Sequence, residues 1–183
     1  MESDPYVRIR SRELYRNPWL AVEAHEIRHP NGEAGEHVVI VTPKACAIVV
    51  EDRDDLLFTR QPRFGARGYV VEVVKGGSDE NETSVECAQR ELREELGISA
   101  SSWEELGGLY EIPPIVNEPL ALFVARDLQF GPSDPERHET IELVRLPVRT
   151  ALHYALDGAF DDAVTVAALF RYAATKGWVR PPS

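Results

Sequence analysis

The stretch from Gly76 to Ile98, GGSDENETSVECAQRELREELGI, constrains this chain more than any other. Thr83 is a good N-cap with Glu86 three residues on, the signature of a capping box, and Gly97 supplies a left-handed stop. A helix is therefore predicted over about Ser84–Leu96. On it, Val85, Ala88, Leu92 and Leu96 share an apolar stripe. Glu91, Glu94 and Glu95, related as i, i+3 and i+4, fall beside that stripe and bring three carboxylates to one patch. Like charges so spaced repel by about 0.2–0.5 kcal/mol per pair on an exposed helix, and more where partly buried. Arg90 and Arg93 offset part of this. A hard divalent cation offsets more, because Mg²⁺ takes oxygen ligands, keeps waters, and usually binds one or two carboxylates plus the phosphates of a substrate. A solvated acidic face is the plainer alternative.

The rest of the composition narrows the partners. A length of 183 residues suits one domain with a small appendage, and 43% hydrophobic with 28% charged residues is ordinary globular usage. A net charge of −11 argues against nucleic acid, whose nonspecific affinity comes from Lys and Arg on phosphates. No apolar run approaches the roughly 18 residues of a membrane span and no leader pattern opens the chain, so a cytoplasmic protein is expected. Cys46 and Cys87 are expected as two buried free thiols rather than a disulfide or metal pair. His25, His29, His37, His138 and His153 lack ligand spacing and are taken as structural or solvated.

Along the chain, residues 1–42 form a segment of their own. Leu20–Ile27 and Glu36–Val41, joined by Pro30-Asn31-Gly32, read as a β-hairpin that must lean on the main domain or on a second subunit. Trp19 just before it is either a core or lid aromatic or a platform for a nucleobase. Residues 43–183 form the main domain. Ala45–Val50 and Leu56–Thr59 read as a second hairpin, followed by a loop carrying Arg60, Arg63 and Arg67, and by a strand Tyr69–Val74. Solvated charge is the default for such arginines. An arginine here can also clamp a phosphate bidentately, and Arg63 is the favoured candidate. After the helix come Trp103–Tyr110, a proline-stiffened loop Glu111–Pro119, a strand Leu120–Ala125, a polar loop Gly131–Thr140 and a last strand Ile141–Leu146. Two helices close the chain, at about Thr150–Leu156 and after Asp161-Asp162; in the second, Ala163, Ala167, Phe170 and Ala174 are expected to face the core.

The acidic stretch carries the pattern G-x5-E-x7-R-E-U-x-E-E-x-G-U, filled by Gly76, Glu82, Arg90, Glu91, Leu92, Glu94, Glu95, Gly97 and Ile98 without departure, and thereby resembles the Nudix hydrolases. The resemblance implies a Nudix α/β/α sandwich with a mixed sheet, plus a small N-terminal antiparallel β subdomain. It implies that Glu91 and Glu95, helped by Glu94 and the Lys75 carbonyl, hold Mg²⁺ or Mn²⁺, and that Glu82 pairs with Arg90. The N-terminal hairpin, the Arg60-Gln-Pro-Arg63 element and the Pro-Pro loop look like the ADP-ribose pyrophosphatase and ADP compounds hydrolase group. That likeness implies a homodimer whose N-terminal strands cross to the partner, with Trp19 over adenine, Arg63 on the diphosphate, and Arg60 and Glu118 among the substrate contacts. In the late loop it implies Glu139 as metal ligand or base. Arg137 stands where the group often has a glutamate base, which brings Glu136 in as a substitute. Ile115-Val116 departs from the group's small residues beside the terminal ribose.

A diphosphate repels an attacking hydroxide, so its hydrolysis needs phosphoryl charge neutralised and a carboxylate to orient or deprotonate water. The expected activity is metal-dependent cleavage of an ADP-ribose-like compound to AMP and a phosphorylated remainder. The alternatives are a dinucleoside polyphosphate, reduced NAD or another nucleotide sugar as substrate. A different class of alternative is a nucleotide-sensing module without turnover.

Overall fold

The computed structural model describes residues 4–134 and 140–179, which divide into two compact units. One holds the described residues up to Lys44 together with Tyr110–Pro119; the other holds Ala45–Leu109 and the described residues from Leu120 onward.

The first unit is a three-stranded antiparallel sheet in the order β1 (Val7–Arg16), β2 (Ala21–Arg28), β3 (Ala34–Val41). The expected hairpin is β2–β3, with His25 opposite His37 and Glu26 opposite Glu36. Its buried side chains are Ala21, Ala24, His25 and Ile27; His25 is satisfied by Ser11 Oγ at 2.8 Å. Strand β1 adds a third member not expected from the sequence, although Val7-Arg8-Ile9-Arg10 alternates apolar and polar; both apolar residues are exposed, as is the whole strand. The Pro-Pro loop belongs to this unit: Ile40 donates to the Ile115 carbonyl at 2.6 Å, and Asn117 donates back to the Ile40 carbonyl at 3.3 Å. Trp19 follows an Asx turn in which Asn17 Oδ1 accepts from the N–H groups of Trp19 and Leu20, and its ring is 71% exposed.

The second unit is a seven-stranded mixed sheet between helices. Its elements are β4 (Ala45–Asp52), β5 (Asp55–Arg63), β6 (Gly68–Glu72), β7 (Val74–Gly77), α1 (Ser84–Leu96), β8 (Ile98–Leu109), β9 (Leu120–Phe130), β10 (Glu142–Pro147), α2 (Val148–Asp157) and α3 (Ala163–Thr175). The order is β10-β5-β4-β9-β8, with β6 on β5 and β7 on β4; β4 and β9 run parallel, the other pairs antiparallel. Strand β4 is an unbroken apolar run because both of its faces are covered. Cys46, Ile48 and Val50 point to the α1 side with Ala88, Leu92 and Phe123, while Ala47 and Val49 join Phe58, Leu122, Ala168, Leu169 and Tyr172 on the α2–α3 side. Among the described residues no helix is long and apolar enough to cross a membrane.

Several expected boundaries shift for identifiable reasons. Strand β5 does not stop at Thr59 but continues through Arg60 and Arg63, pairing with β6; Pro62 is tolerated because β10 extends only as far as Arg60. The expected strand Tyr69–Val74 breaks at Val73, whose N–H leaves the ladder for Thr165 Oγ1 at 3.0 Å. That break lets the chain pass from β5 to β4 and deliver Gly76 beneath α1. Strand β8, rich in Ser and Gly, carries little β-propensity and is held by ten register pairs with β9, interrupted by an irregularity where Gly107 takes φ +80°. In α3 the core-facing residues are Val164, Thr165, Ala168, Leu169, Tyr172 and Ala173. The stripe expected there, Ala163, Ala167, Phe170 and Ala174, is the more exposed side, with Phe170 at 59%. A helix this rich in apolar residues offers more than one plausible stripe, and packing on the sheet selected the neighbouring one.

Candidate active site

Helix α1 starts and stops where its sequence directs. Thr83 Oγ1 accepts from the Glu86 N–H, Glu86 Oε2 accepts from the Thr83 N–H, and Gly97 at φ +66° donates to the Arg93 and Leu92 carbonyls. These caps fix the rotation of the helix and hence the direction of its glutamates.

One arginine braces the acidic face. Arg90 donates through Nε and Nη2 to the two carboxylate oxygens of Glu82, each at 3.0 Å, and through Nη2 to the Gly77 carbonyl at 2.7 Å. Its Nη1 donates to Glu91 Oε1 at 2.8 Å and to Glu94 Oε2 at 2.9 Å. Hydrogen bonds from Arg90 hold the Glu82 carboxyl below its ordinary range, and the same partners push the Arg90 guanidinium up. The loop before α1 and two of the three helix carboxylates are thus set by a single planar fork.

The glycine at the head of the pattern acts by absence of volume. A Cβ on Gly76 would lie 1.9 Å from Glu91 Cδ and 2.0 Å from its Oε1. The Glu91 carboxylate therefore lies on the Gly76 backbone, in a seat that only glycine leaves open. Glu95 is 5% exposed and turns to the buried side of α1, so it belongs partly to the stripe of Leu92 and Leu96 instead of lying wholly beside it. The Glu94 side chain remains 36% exposed.

Beyond the helix, Gly131 donates to the Gly97 carbonyl at 2.7 Å and Asp134 to the Glu94 carbonyl at 3.0 Å. The start of the late loop is thereby pinned to the C-terminal end of α1. Glu136 and Glu139 lie outside the described residues.

The arginines of β5 are already engaged. Arg63 donates through Nε to Glu72 Oε1 at 2.7 Å and ion-pairs with it through Nη2, while its side chain stays 41% exposed. Glu72, 2% exposed, also receives Lys75 Nζ at 3.0 Å, and Lys75 reaches Asp162 at 2.8 Å. Burial works against ionisation of Asp162, yet Lys75 and the Thr165 donors leave its carboxyl below the ordinary value. Arg60 pairs with Glu142 and lies 4.0 Å over the Tyr69 ring. Asp162 was expected only as a helix cap, which it is, accepting from the Thr165 N–H at 2.8 Å, and Glu72 was not expected to take part. The available signal was a lone glutamate in the run Tyr69–Val74, since a carboxylate in a buried strand requires a partner. Trp19 and Glu118 belong to the first unit, where Glu118 accepts from Asn117 at 3.3 Å.

Among the described residues no group of three His, Cys, Asp or Glu side chains is placed to hold a metal ion by itself. Mg²⁺ does not require one, since it keeps several waters and usually takes one or two carboxylates together with substrate phosphates. An all-oxygen donor set on one helix face, with Glu91 seated on Gly76, fits such a hard cation.

A three-layer sandwich whose capped helix presents arginine-braced carboxylates defines a hydrolase scaffold of the Nudix kind. The NUDIX domain family matches residues 41–169, and the chain belongs to it. Residues 7–40 match the nucleoside diphosphate sugar hydrolase N-terminal domain. The chain is similar to the ADP compounds hydrolase NudE of Escherichia coli, 29% identical over 157 residues covering 85% of this chain and 84% of that protein. It is similar to the ADP-ribose pyrophosphatase of Bacillus subtilis, 24% identical over 164 residues covering 88% and 89%. A crystal structure of an ADP compounds hydrolase superposes with a TM-score of 0.83 at 25% identity, covering 98% of this chain and 100% of that one.

Proposed function

We propose that this chain is a Mg²⁺- or Mn²⁺-dependent pyrophosphohydrolase that splits ADP-ribose-like nucleoside diphosphate derivatives into AMP and a phosphorylated remainder. The observation that carries the reading is the carboxylate face of α1, braced by Arg90 and seated on Gly76. The printed names of the relatives, ADP compounds hydrolase and ADP-ribose pyrophosphatase, support the substrate class. Residues 43–183 form the hydrolase domain, and residues 1–42 supply base contacts and the contact surface of a cytoplasmic homodimer.

When bound, the dication neutralises phosphoryl charge and lowers the pKa of water. Glu91 and Glu95 hold it, with Glu94 and the Lys75 carbonyl as further oxygen donors. Arg90 keeps the carboxylates aimed while substrate enters and product leaves. Glu139, or Glu136 in its place, orients the attacking water and takes its proton. Arg63 holds the diphosphate, with Glu72 fixing the plane of its guanidinium. Arg60 and Glu118 contact the substrate, and Trp19 stacks on the adenine.

The test is phosphate release in the presence of alkaline phosphatase, across ADP-ribose, reduced NAD, diadenosine polyphosphates and nucleotide sugars, with and without Mg²⁺. The expected result is metal-dependent release that is fastest with ADP-ribose. Flat traces for every compound, with ADP-ribose still binding, would replace the enzyme by a sensor.

Two variants probe the parts. In Gly76→Ala the new methyl meets the end of a flexible side chain and not backbone, so Glu91 swings away at little cost to folding. Stability is expected to change by less than about 1 kcal/mol. Turnover is expected to fall about 10–100-fold, the scale of disturbing the surroundings of a metal ligand. Unchanged kcat would show that the seat is irrelevant to the chemistry. For Trp19→Ala, an exposed ring, stability should hold while KM for ADP-ribose weakens by about 1–3 kcal/mol of lost stacking. A KM equal to that of the parent protein would remove Trp19 from the base site.

A further inference from the structure

The two cysteines of the chain, 41 positions apart, meet beneath the acidic helix. Cys46 Sγ lies 3.2 Å from Cys87 Sγ, both thiols being free and fully buried. Cys46 on β4 stands opposite Gly76 in the β4–β7 register. The Cys87 thiol contacts the Gly76 carbonyl at 3.6 Å and Arg90 Nη2 at 3.9 Å. Most buried cysteines are inert because only carbon surrounds the sulfur. Here each sulfur already has a resolving partner in contact, and the proposed hydrolysis uses neither. The first turn of α1 holds Cys87 and is closed by the exposed pair Thr83 and Glu86, so its opening would admit a small oxidant. Terminal turns open at far lower free energy than the core.

We propose that Cys46 and Cys87 are an oxidisable dithiol, and that its closure by hydrogen peroxide to a disulfide turns hydrolysis down. In the first step one sulfur attacks a peroxide oxygen and the O–O bond breaks. A sulfenic acid forms, and the departing oxygen leaves as water with the thiol proton. In the second step the other sulfur attacks the sulfenic sulfur, the S–O bond breaks, and a second water departs with the remaining thiol proton. Two thiols are oxidised and one peroxide is reduced to two waters. Bond formation draws the first turn of α1 toward β4. Gly76 lies against that turn, and Glu91 sits on Gly76 without clearance even for a methyl group, so the shift dislodges Glu91 and Arg90. The effect on rate rests on the hydrolase reading above; formation of the disulfide does not.

The experiment treats the full chain with hydrogen peroxide, maps its peptides without reduction, and follows metal-dependent phosphate release from ADP-ribose in parallel. A peptide pair linked through Cys46 and Cys87 is expected, with the loss of two hydrogen atoms. Turnover should fall at least about tenfold, as when the surroundings of a metal ligand are disturbed, and dithiothreitol should restore both. Cys46→Ala is expected to keep the basal rate and show neither change; Cys87→Ala serves if that variant fails to fold. Absence of the linked pair, or oxidation of either cysteine only to the sulfinic acid, overturns the dithiol. A linked pair with undiminished turnover overturns the coupling. A chain that hydrolyses nothing before treatment fails the hydrolase reading alone, because the peptide map still decides the dithiol.

Discussion

Glu95→Gln is expected to lower turnover on ADP-ribose by more than about 100-fold, beyond the usual loss from disturbing the surroundings of a metal ligand, while the protein folds as before. Glu95 is 5% exposed and packs on the buried side of α1 beside Leu92 and Leu96. Glutamine keeps its shape and nearly its volume, so the packing is conserved, but the charge is gone. Charged carboxylates are expensive to bury, and on the proposed reading the cation compensates that cost. Removing it also relieves repulsion with Glu91 and Glu94, one turn and less away. Unfolding free energy is therefore expected to stay within about 1 kcal/mol of the parent. Glu94→Gln should do less, because that side chain is 36% exposed and Arg90 already pairs with it. The checks are kcat/KM with Mg²⁺, Mn²⁺ binding followed by electron paramagnetic resonance, and thermal unfolding. Undiminished turnover in Glu95→Gln would take the residue out of the metal site; a large fall in stability with metal binding intact would make it a structural residue.

What could be read from the sequence was local. Thr83, Glu86 and Gly97 place both ends of α1 because capping is a contest among residues three or four apart. The run Ala45–Val50 was legible as a strand paired in a hairpin with Leu56–Thr59; that both its faces are covered shows only in the sheet. What escaped depends on partners distant in the chain. The side of α3 that faces the sheet was decided by Phe58, Leu122 and Val49, so an apolar helix gave no unique answer. Arg63 read as a cation awaiting a phosphate, yet it already pairs with Glu72, nine residues on, which Lys75 and Asp162 tie to the start of α3. The carboxylate cluster was legible as chemistry because its spacing lies within one helix; Glu95's burial was not, since it depends on what the sheet places opposite.

Gly97→Ala is expected to injure folding first, in contrast to Gly76→Ala. Residue 97 has φ +66°, and an L-side chain in that region costs about 1–2 kcal/mol. The new methyl would also stand 2.3 Å from the Gly131 carbonyl oxygen and 2.6 Å from Pro132 C and Ser133 N. All three are backbone atoms, so no rotamer change relieves the clash, and the loop must move. The combined loss is expected to exceed about 2 kcal/mol, a large single-site effect, and to lower Tm by about 5–10 °C in a chain of this size. Activity should fall too, because the bonds from Gly131 to Gly97 and from Asp134 to Glu94 anchor the chain just before Glu136 and Glu139. Gly97→Asn separates the two causes. Asparagine accepts the left-handed conformation but carries the same Cβ, so it should recover only the conformational part and remain clearly below the parent in Tm. Recovery of parental Tm by Asn would show that backbone conformation alone accounts for the glycine, and that the late loop does not press on the helix end.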